Sequence, residues 1–390
     1  MKKWSVFLGV LLSAFALSGC GGNTLQKADS KLQIVQADTY LAPAYNNGKY
    51  GYIDANGDTA VAFRYADAQA FSQEDGLAAV KMDDKYGYID ANGEKVIEAE
   101  YDYAGVFHHG YAAVCKENKY GMIDTSGNVV VDFTYDTIGN VCEHGLATAG
   151  VGEAYGYVNT DGELVIPLEY QTVNPFGENG LALVKKNGKY GFIDESGKEM
   201  IPFNYDYAEN FKNGYAVAVR DGKNGFLDVT GEVIEFSYDT VFGFAQNGLA
   251  AVKQGEKWGY INVDGDMVIE PMYEAAYSFS EDGVAMVTVN GKYGYIDEKG
   301  NYIVEPEKTF AQSFSGGYGA VQDGESGLWS YVDASGKEIV KPTFKAVGAF
   351  SELGVAIVQM ENGKAGFFAS DGKLLIEAKY EALGNFVKVR

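Results

Sequence analysis

A segment of about 35 residues recurs along most of the chain, and this period constrains the fold more than any other property of the sequence. An aromatic residue, a glycine, a second aromatic, an aliphatic residue and an aspartate appear as Tyr50-Gly51-Tyr52-Ile53-Asp54 and again as Tyr86-Gly87-Tyr88-Ile89-Asp90. Further copies centre on Gly121, Gly156, Gly191, Gly225, Gly259, Gly294, Ser330 and Gly366, at intervals of 34 to 36 residues. Ten copies at a fixed spacing define a repeat architecture. One unit of this size cannot bury its own apolar face, so its neighbours complete the core.

Each unit reads as β structure. A Gly-Leu-Ala-Ala-Val-like run such as 76–80 comes first, followed by a polar turn ending in Lys, as at Lys85, Lys189 and Lys257. The aromatic-Gly-aromatic run follows, then an Asp-x-x-Gly turn such as 90–93, then an aliphatic run such as 164–166. Runs of this length, rich in Val, Ile and aromatics and bounded by Gly and Asx, are strand signatures. Gly numbers 50 against 7 Pro, with 29 Tyr and 22 Phe, a composition of turns between aromatic-rich strands. The unit closes on Tyr-Asp and a Phe, as at Tyr205, Asp206 and Phe211. The sequence therefore predicts an all-β chain of about ten three-stranded meanders with a partly turned return. The central Gly of each unit lies in mid-strand, where Gly is unfavourable; the expected reason is a neighbouring unit's aromatic lying over it.

Ten short units exceed the 4–8 blades of an ordinary single ring. The expected arrangement is an open or superhelical β-solenoid, with two five-bladed propeller-like rings as the alternative. The final stretch, 385–390, reads as the first strand of an eleventh copy, placed to pair with the last unit and cover its edge.

The repeat Lys257-Trp258-Gly259-Tyr260-Ile261 resembles the core of the bacterial WG-containing β repeats. Only this copy has a literal Trp-Gly; most others read Tyr-Gly. The resemblance covers roughly residues 40–390 and implies a β-rich repeat fold used on cell surfaces, with no catalytic residues to carry over. The start of the chain has a different character. Met1-Lys2-Lys3, an apolar run over 4–17 and Leu17-Ser18-Gly19-Cys20 form a secretory signal whose last four residues resemble a bacterial lipobox. The expected organisation is a lipoprotein signal peptide over 1–19, a lipid-anchored tether over 20–37 beginning at an acylated Cys20, and a repeat array over 38–390. The apolar run is too short to span a bilayer as a helix.

With 31 Lys and Arg against 54 Asp and Glu, the net charge is −23, the wrong sign for a nucleic-acid partner. No Gly-x-Ser-x-Gly, no His-Glu-x-x-His and no phosphate loop occur. Carboxylates recur in every turn, whereas an active site needs an asymmetric constellation. Asp54-Ala55-Asn56-Gly57-Asp58 places Gly fourth, a hairpin turn and not an EF-hand calcium loop. These readings point to an exported, membrane-anchored, non-enzymatic binding scaffold of the cell envelope, without a required cofactor and with a protein partner. The alternative is a glycan- or cell-wall-binding module in which exposed Tyr86, Tyr190 and Trp258 stack on sugar rings. The array breaks its pattern in one place. Repeats three and four hold His108, His109, His144, Cys115 and Cys142, with Val141 and Ala154 in place of the recurrent Phe and Lys. His109, His144 and Cys142 are candidate Zn²⁺ ligands, and the region 105–155 is where specificity is expected, because identical units give identical sites.

Overall fold

The computed structural model describes residues 39–389. The expected signal segment, Cys20 and the tether lie outside the described residues. Among the described residues all regular structure is β, in ten antiparallel sheets. In blade 2 the strands are Asp67–Ala68, Ala78–Met82, Lys85–Ile89 and Lys95–Tyr101, adjacent in chain order. Blades 3 to 10 repeat this four-stranded plan, each opening on a two-residue first strand such as Tyr103–Ala104, Thr137–Ile138 or Ala346–Val347.

Blade 1 is assembled from both ends of the chain. Its second to fourth strands are Tyr40–Asn46, Lys49–Asp54 and Thr59–Tyr65. Its first strand is Ala382–Leu383, which pairs with Tyr45 and Ala44, while Val387–Lys388 adds further pairing at Leu41 and Tyr40. Blade 10 packs on blade 1: Phe367 stacks on Phe386 at 4.4 Å and the Tyr380 hydroxyl donates to Gly57 O at 3.1 Å. The ring is thus closed into one ten-bladed β-propeller, which overturns both the open solenoid of three-stranded meanders and the two five-bladed rings. The closing segment completes the first unit, not the last. Two physical facts hid this from the sequence. A two-residue strand is too short to carry a period-2 signal, and closure depends on the small rotation between blades, which the repeat length does not encode.

Local chemistry explains the strands and turns. In blade 2 the Asp90 carboxylate accepts the N–H groups of Asn92 and Glu94, both at 2.9 Å, and Gly93 N–H donates to Asp90 O at 2.9 Å. Gly93 has φ +79°, a conformation that favours Gly, and a Cβ there would lie 2.9 Å from Val61 of blade 1. The turn glycine is therefore fixed twice, by its backbone and by the neighbouring blade. The central glycine is fixed differently from expectation. A Cβ on Gly87 would lie 2.6 Å from Ile97 O and 2.8 Å from Ala99 N, backbone of its own blade's fourth strand. The pairing jumps there from Tyr86↔Tyr101 to Tyr88↔Ile97, a bulge that presses the fourth strand onto the glycine. The close neighbour is that bulge and not an aromatic of the next unit.

The core lies between blades. Tyr88 is fully buried, its ring 4.7 Å from Phe107 of blade 3 and its hydroxyl donating to Gly105 O at 2.8 Å. The same staple recurs from Tyr52 to Phe71 and Gln69 O, and from Tyr157 to Phe176 and Asn174 O. Burial of each such ring contributes about 1.5–3 kcal/mol and each hydroxyl bond about 0.5–1.5 kcal/mol. Desolvation raises the Tyr88 pKa far above the ordinary phenol range, so the hydroxyl stays a donor.

Candidate functional site

Neighbouring strands alternate in direction, so the ring has two unlike faces. One carries the first-to-second loops and the Asp-x-x-Gly turns; the other carries the second-to-third hairpins and the links between blades. On the hairpin face the link residue Asp102 pairs with Lys85 of blade 2 and accepts Glu117 N–H of blade 3 at 2.9 Å. Asp136 repeats this with Lys119 at 2.6 Å and Gly152 N–H at 2.8 Å, and Asp206 and Asp239 do so with Lys189 and Lys223. The lysine hydrogen bond is the largest influence that holds these four carboxyls below the usual carboxylate range. The recurrent Lys and Asp of the sequence are therefore blade-to-blade fasteners.

Tyr86, Tyr190 and Trp258 all lie on the hairpin face at the start of a third strand, half-buried. Tyr86 donates its hydroxyl to Asp67 at 2.6 Å, and the Lys81 ammonium lies 5.4 Å from its ring centre. Lys185 lies 5.0 Å from the Tyr190 ring, which also meets Tyr207 at 5.8 Å, edge-on, and packs against the core around Leu183 and Tyr205. Trp258 stacks on Phe242 at 5.2 Å. The sequence did not single out the row that continues from Trp258. Phe242 stacks on Tyr277 at 6.3 Å, the Tyr277 and Tyr293 hydroxyls are hydrogen-bonded, and Tyr293 lies 6.0 Å from Phe310. Phe242 and Phe310 are 39% and 52% exposed, unlike the staple rings. Their signal was faint, because aromatics at loop and first-strand positions do not recur from copy to copy.

The structure does not gather the three candidate metal ligands. The His109 ring faces Glu74 of blade 2 at 3.4 Å. His144 turns the other way round the ring, to Glu195 at 2.8 Å and Gly177 O at 3.0 Å in blade 5. Cys142 packs against the apolar cluster around Leu146 and Tyr157. Among the described residues no group of three or more His, Cys, Asp or Glu is placed to hold a metal ion. Cys115 and Cys142 are both free thiols. Cys115 sits at the hairpin end of its strand, and Cys142 lies in a loop on the opposite face of the next blade.

The region 105–155 does depart from its neighbours. At the junction of blades 3 and 4 the staple is replaced by Met122 and Val141, both buried, in a cluster with no buried aromatic ring. Next along, Ala154 cannot supply the fastening lysine and Gln171 replaces the aspartate, its Oε1 still accepting Gly188 N–H at 2.6 Å.

The profile described as "WG containing repeat" matches nine successive segments: 50–86, 86–120, 120–152, 155–190, 190–223, 225–258, 258–293, 293–325 and 329–364. No curated protein matches the chain in sequence. Among solved structures, a eukaryotic initiation factor is similar over 77% of this chain and 94% of its own, with 14% identity and a TM-score of 0.50. BamB from Moraxella catarrhalis is similar over 66% of this chain and 93% of its own, with 12% identity and a TM-score of 0.35. At 14% identity the first of these likenesses concerns the fold alone.

Proposed function

We propose, from the premise that this chain belongs to the WG-containing repeat family, that it is a non-catalytic interaction scaffold of the bacterial cell envelope. In this reading residues 1–19 direct export and an acylated Cys20 holds the mature chain at the bilayer, two acyl chains being enough for stable anchoring. The observation that supports it is where the described chain begins and ends. Val389 N–H donates to Thr39 O at 2.8 Å, and Thr39 leads into blade 1 from the face of the Asp-x-x-Gly turns. A tether from Cys20 therefore joins the ring at that face and, fully extended, reaches about 60 Å. The acidic turns of that face stand off an anionic surface, so the tethered ring offers both faces to partners, the hairpin face with its aromatic row among them.

A glycan partner at Tyr86, Tyr190 and Trp258 is the second reading, favoured by their half-exposed rings; a sugar there would have to displace Lys81, Lys185 and Phe242 from them. Labelling with a radioactive fatty acid tests the anchor. The wild-type chain is expected to take up label and sediment with membranes, and Cys20→Ala to lose both properties. Equal labelling of the variant would sink the anchored reading. Capture of an envelope partner by the unlipidated ring, competed by a soluble cell-wall glycan or indifferent to it, separates the two partner classes.

A further inference from the structure

The first-to-second loops of blades 2 to 10, and the stretch that follows the first strand of blade 1, carry a staple residue at one position: Phe in nine and Val141 in blade 4. Nine of these ten side chains are buried among the described residues, from Phe107 and Phe244 at 1% to Phe386 at 8% exposed. Phe211 of blade 6 is the exception, packed on Phe192 at 4.7 Å yet partly open to solvent. It opens into a pocket of about 440 Å³ between the loops of blades 5 and 6, with Phe176 and Leu181 beside it and the amides of Asn174, Asn179 and Asn210 around it.

Sequence explains why the pocket occurs here. The residue after the staple Phe is Gly177 in blade 5, where the other loops carry Ser72, His108, Cys142, Lys212, Ala245, Ser280, Ser315 or Ser351. The missing side chain leaves the space. The walls are fixed in advance: Asn174 O accepts the Tyr157 hydroxyl at 2.7 Å, Gly177 N–H donates to Leu181 O at 3.0 Å, and Gly177 O takes His144 Nε2 at 3.0 Å. His144 is one of the residues that set repeat four apart, and it acts here on the next blade. Asn174 Nδ2 donates to Asn210 Oδ1 at 2.9 Å, and Asn179 Oδ1 accepts Leu181 N–H at 3.2 Å. The acceptor of Asn174 and the donors of Asn210 and Asn179 remain for a ligand.

An aromatic floor under neutral amides suits a ring that is apolar on one face and hydroxylated at its edge. Amides bond neighbouring hydroxyls as donor and acceptor together, while the ring offers its face to C–H groups. No cationic side chain lines the pocket, and a volume near 440 Å³ is within the range of small-ligand sites. We propose that this pocket binds a neutral pyranose unit of an oligosaccharide. The inference rests on the scaffold reading and gives it a ligand class at a place distinct from Tyr86, Tyr190 and Trp258.

Saturation-transfer NMR of the ring comprising residues 39–390 with cellobiose, maltose and chitobiose at millimolar concentration tests it. At least one disaccharide is expected to receive saturation, with Asn174→Ala weakening it about three- to tenfold. Gly177→Ser copies the residue of blades 2, 8, 9 and 10 and is expected to abolish transfer, with thermal unfolding unchanged. Its Cβ would meet the Asn179 amide oxygen at 3.1 Å and Leu181 O at 3.8 Å. No transfer to any disaccharide overturns the proposal, as does transfer that Gly177→Ser leaves intact, which would move the sugar to the aromatic row. Capture of an envelope protein by the Gly177→Ser ring would leave the scaffold reading standing while this site fails.

Discussion

The junction between blades 8 and 9 and the junction between blades 3 and 4 occupy equivalent places in the ring but are held by different forces. At the first, Tyr295 is fully buried 4.7 Å from Phe314, and its hydroxyl donates to Gln312 O at 2.6 Å and lies 2.9 Å from Ala320 O. At the second, Met122 and Val141 stand at the equivalent positions without a ring pair or a hydroxyl. The link residues are reversed in character: Thr309 is uncharged in the first, whereas Asp136 in the second holds Lys119 and Gly152 N–H. The propeller therefore tolerates loss of its aromatic staple where an ionic fastener remains. Its cohesion is a sum of local junction terms, as expected of stacked repeats.

The largest effect should come from removing one junction altogether. Deleting residues 381–390 takes away the first strand of blade 1 and Phe386, whose loss alone costs about 3–5 kcal/mol. The expected result is a lower unfolding temperature and a larger radius in small-angle scattering. An unchanged radius would mean that closure does not hold the ring shut. Next come the two staples. Tyr295→Ala should cost about 3–5 kcal/mol and Met122→Ala about 2–3 kcal/mol, measured by urea unfolding. Equal losses would erase the contrast between the junctions.

Much of this fold is written in the chain, and the unwritten part has a physical origin. The period, the Asp-x-x-Gly turns and the aromatic core follow from residues that recur, because each blade solves the same packing problem. The register does not follow so easily. Tyr205, Asp206 and Phe211 read as the end of one unit, yet Tyr205 ends the fourth strand of blade 5 while Tyr207–Ala208 and Phe211 belong to blade 6. A boundary inside a repeat cannot be located from periodicity, since any phase of the period reads equally well. The site was less legible still. His109 and His144 share a sequence position, but their partners lie in blades 2 and 5, because the folded surroundings and not the repeat position set a side chain's direction. The pocket at Phe211 depends on Gly177 being absent as a side chain, a signal that one glycine among 50 does not announce.

A gain-of-contact variant sharpens the comparison at a smaller scale. Met122→Tyr combined with Val141→Phe rebuilds the staple at the junction of blades 3 and 4, with Gly139 O at the position that accepts the hydroxyl in other blades. Stabilisation of about 1 kcal/mol is expected from the added bond and ring contact. A loss of similar size would show instead that this interface is packed for smaller side chains and that the larger pair overfills it.

The smallest effect is the acid response, which is expected at one of the two junctions and not at the other. The Asp136 carboxyl lies below its ordinary value of 3.8, chiefly through the Lys119 hydrogen bond and then through Gly152 N–H. A carboxyl with a depressed folded-state pKa contributes stability that is complete above its unfolded value and is lost as pH falls through the folded one. Acid below about pH 4 should therefore loosen the junction of blades 3 and 4, where the ionic fastener stands in for the staple. The junction of blades 8 and 9 has Thr309 at that position and should not respond through it. Hydrogen exchange between pH 5 and pH 3, corrected for the intrinsic rate, reads the difference as earlier loss of protection in 119–124 than in 292–296. Asp136→Asn should keep the Gly152 N–H acceptor, weaken the junction at neutral pH and remove its acid dependence. If 119–124 in that variant still loses protection on acidification as the wild type does, the fastener is not what distinguishes the two junctions.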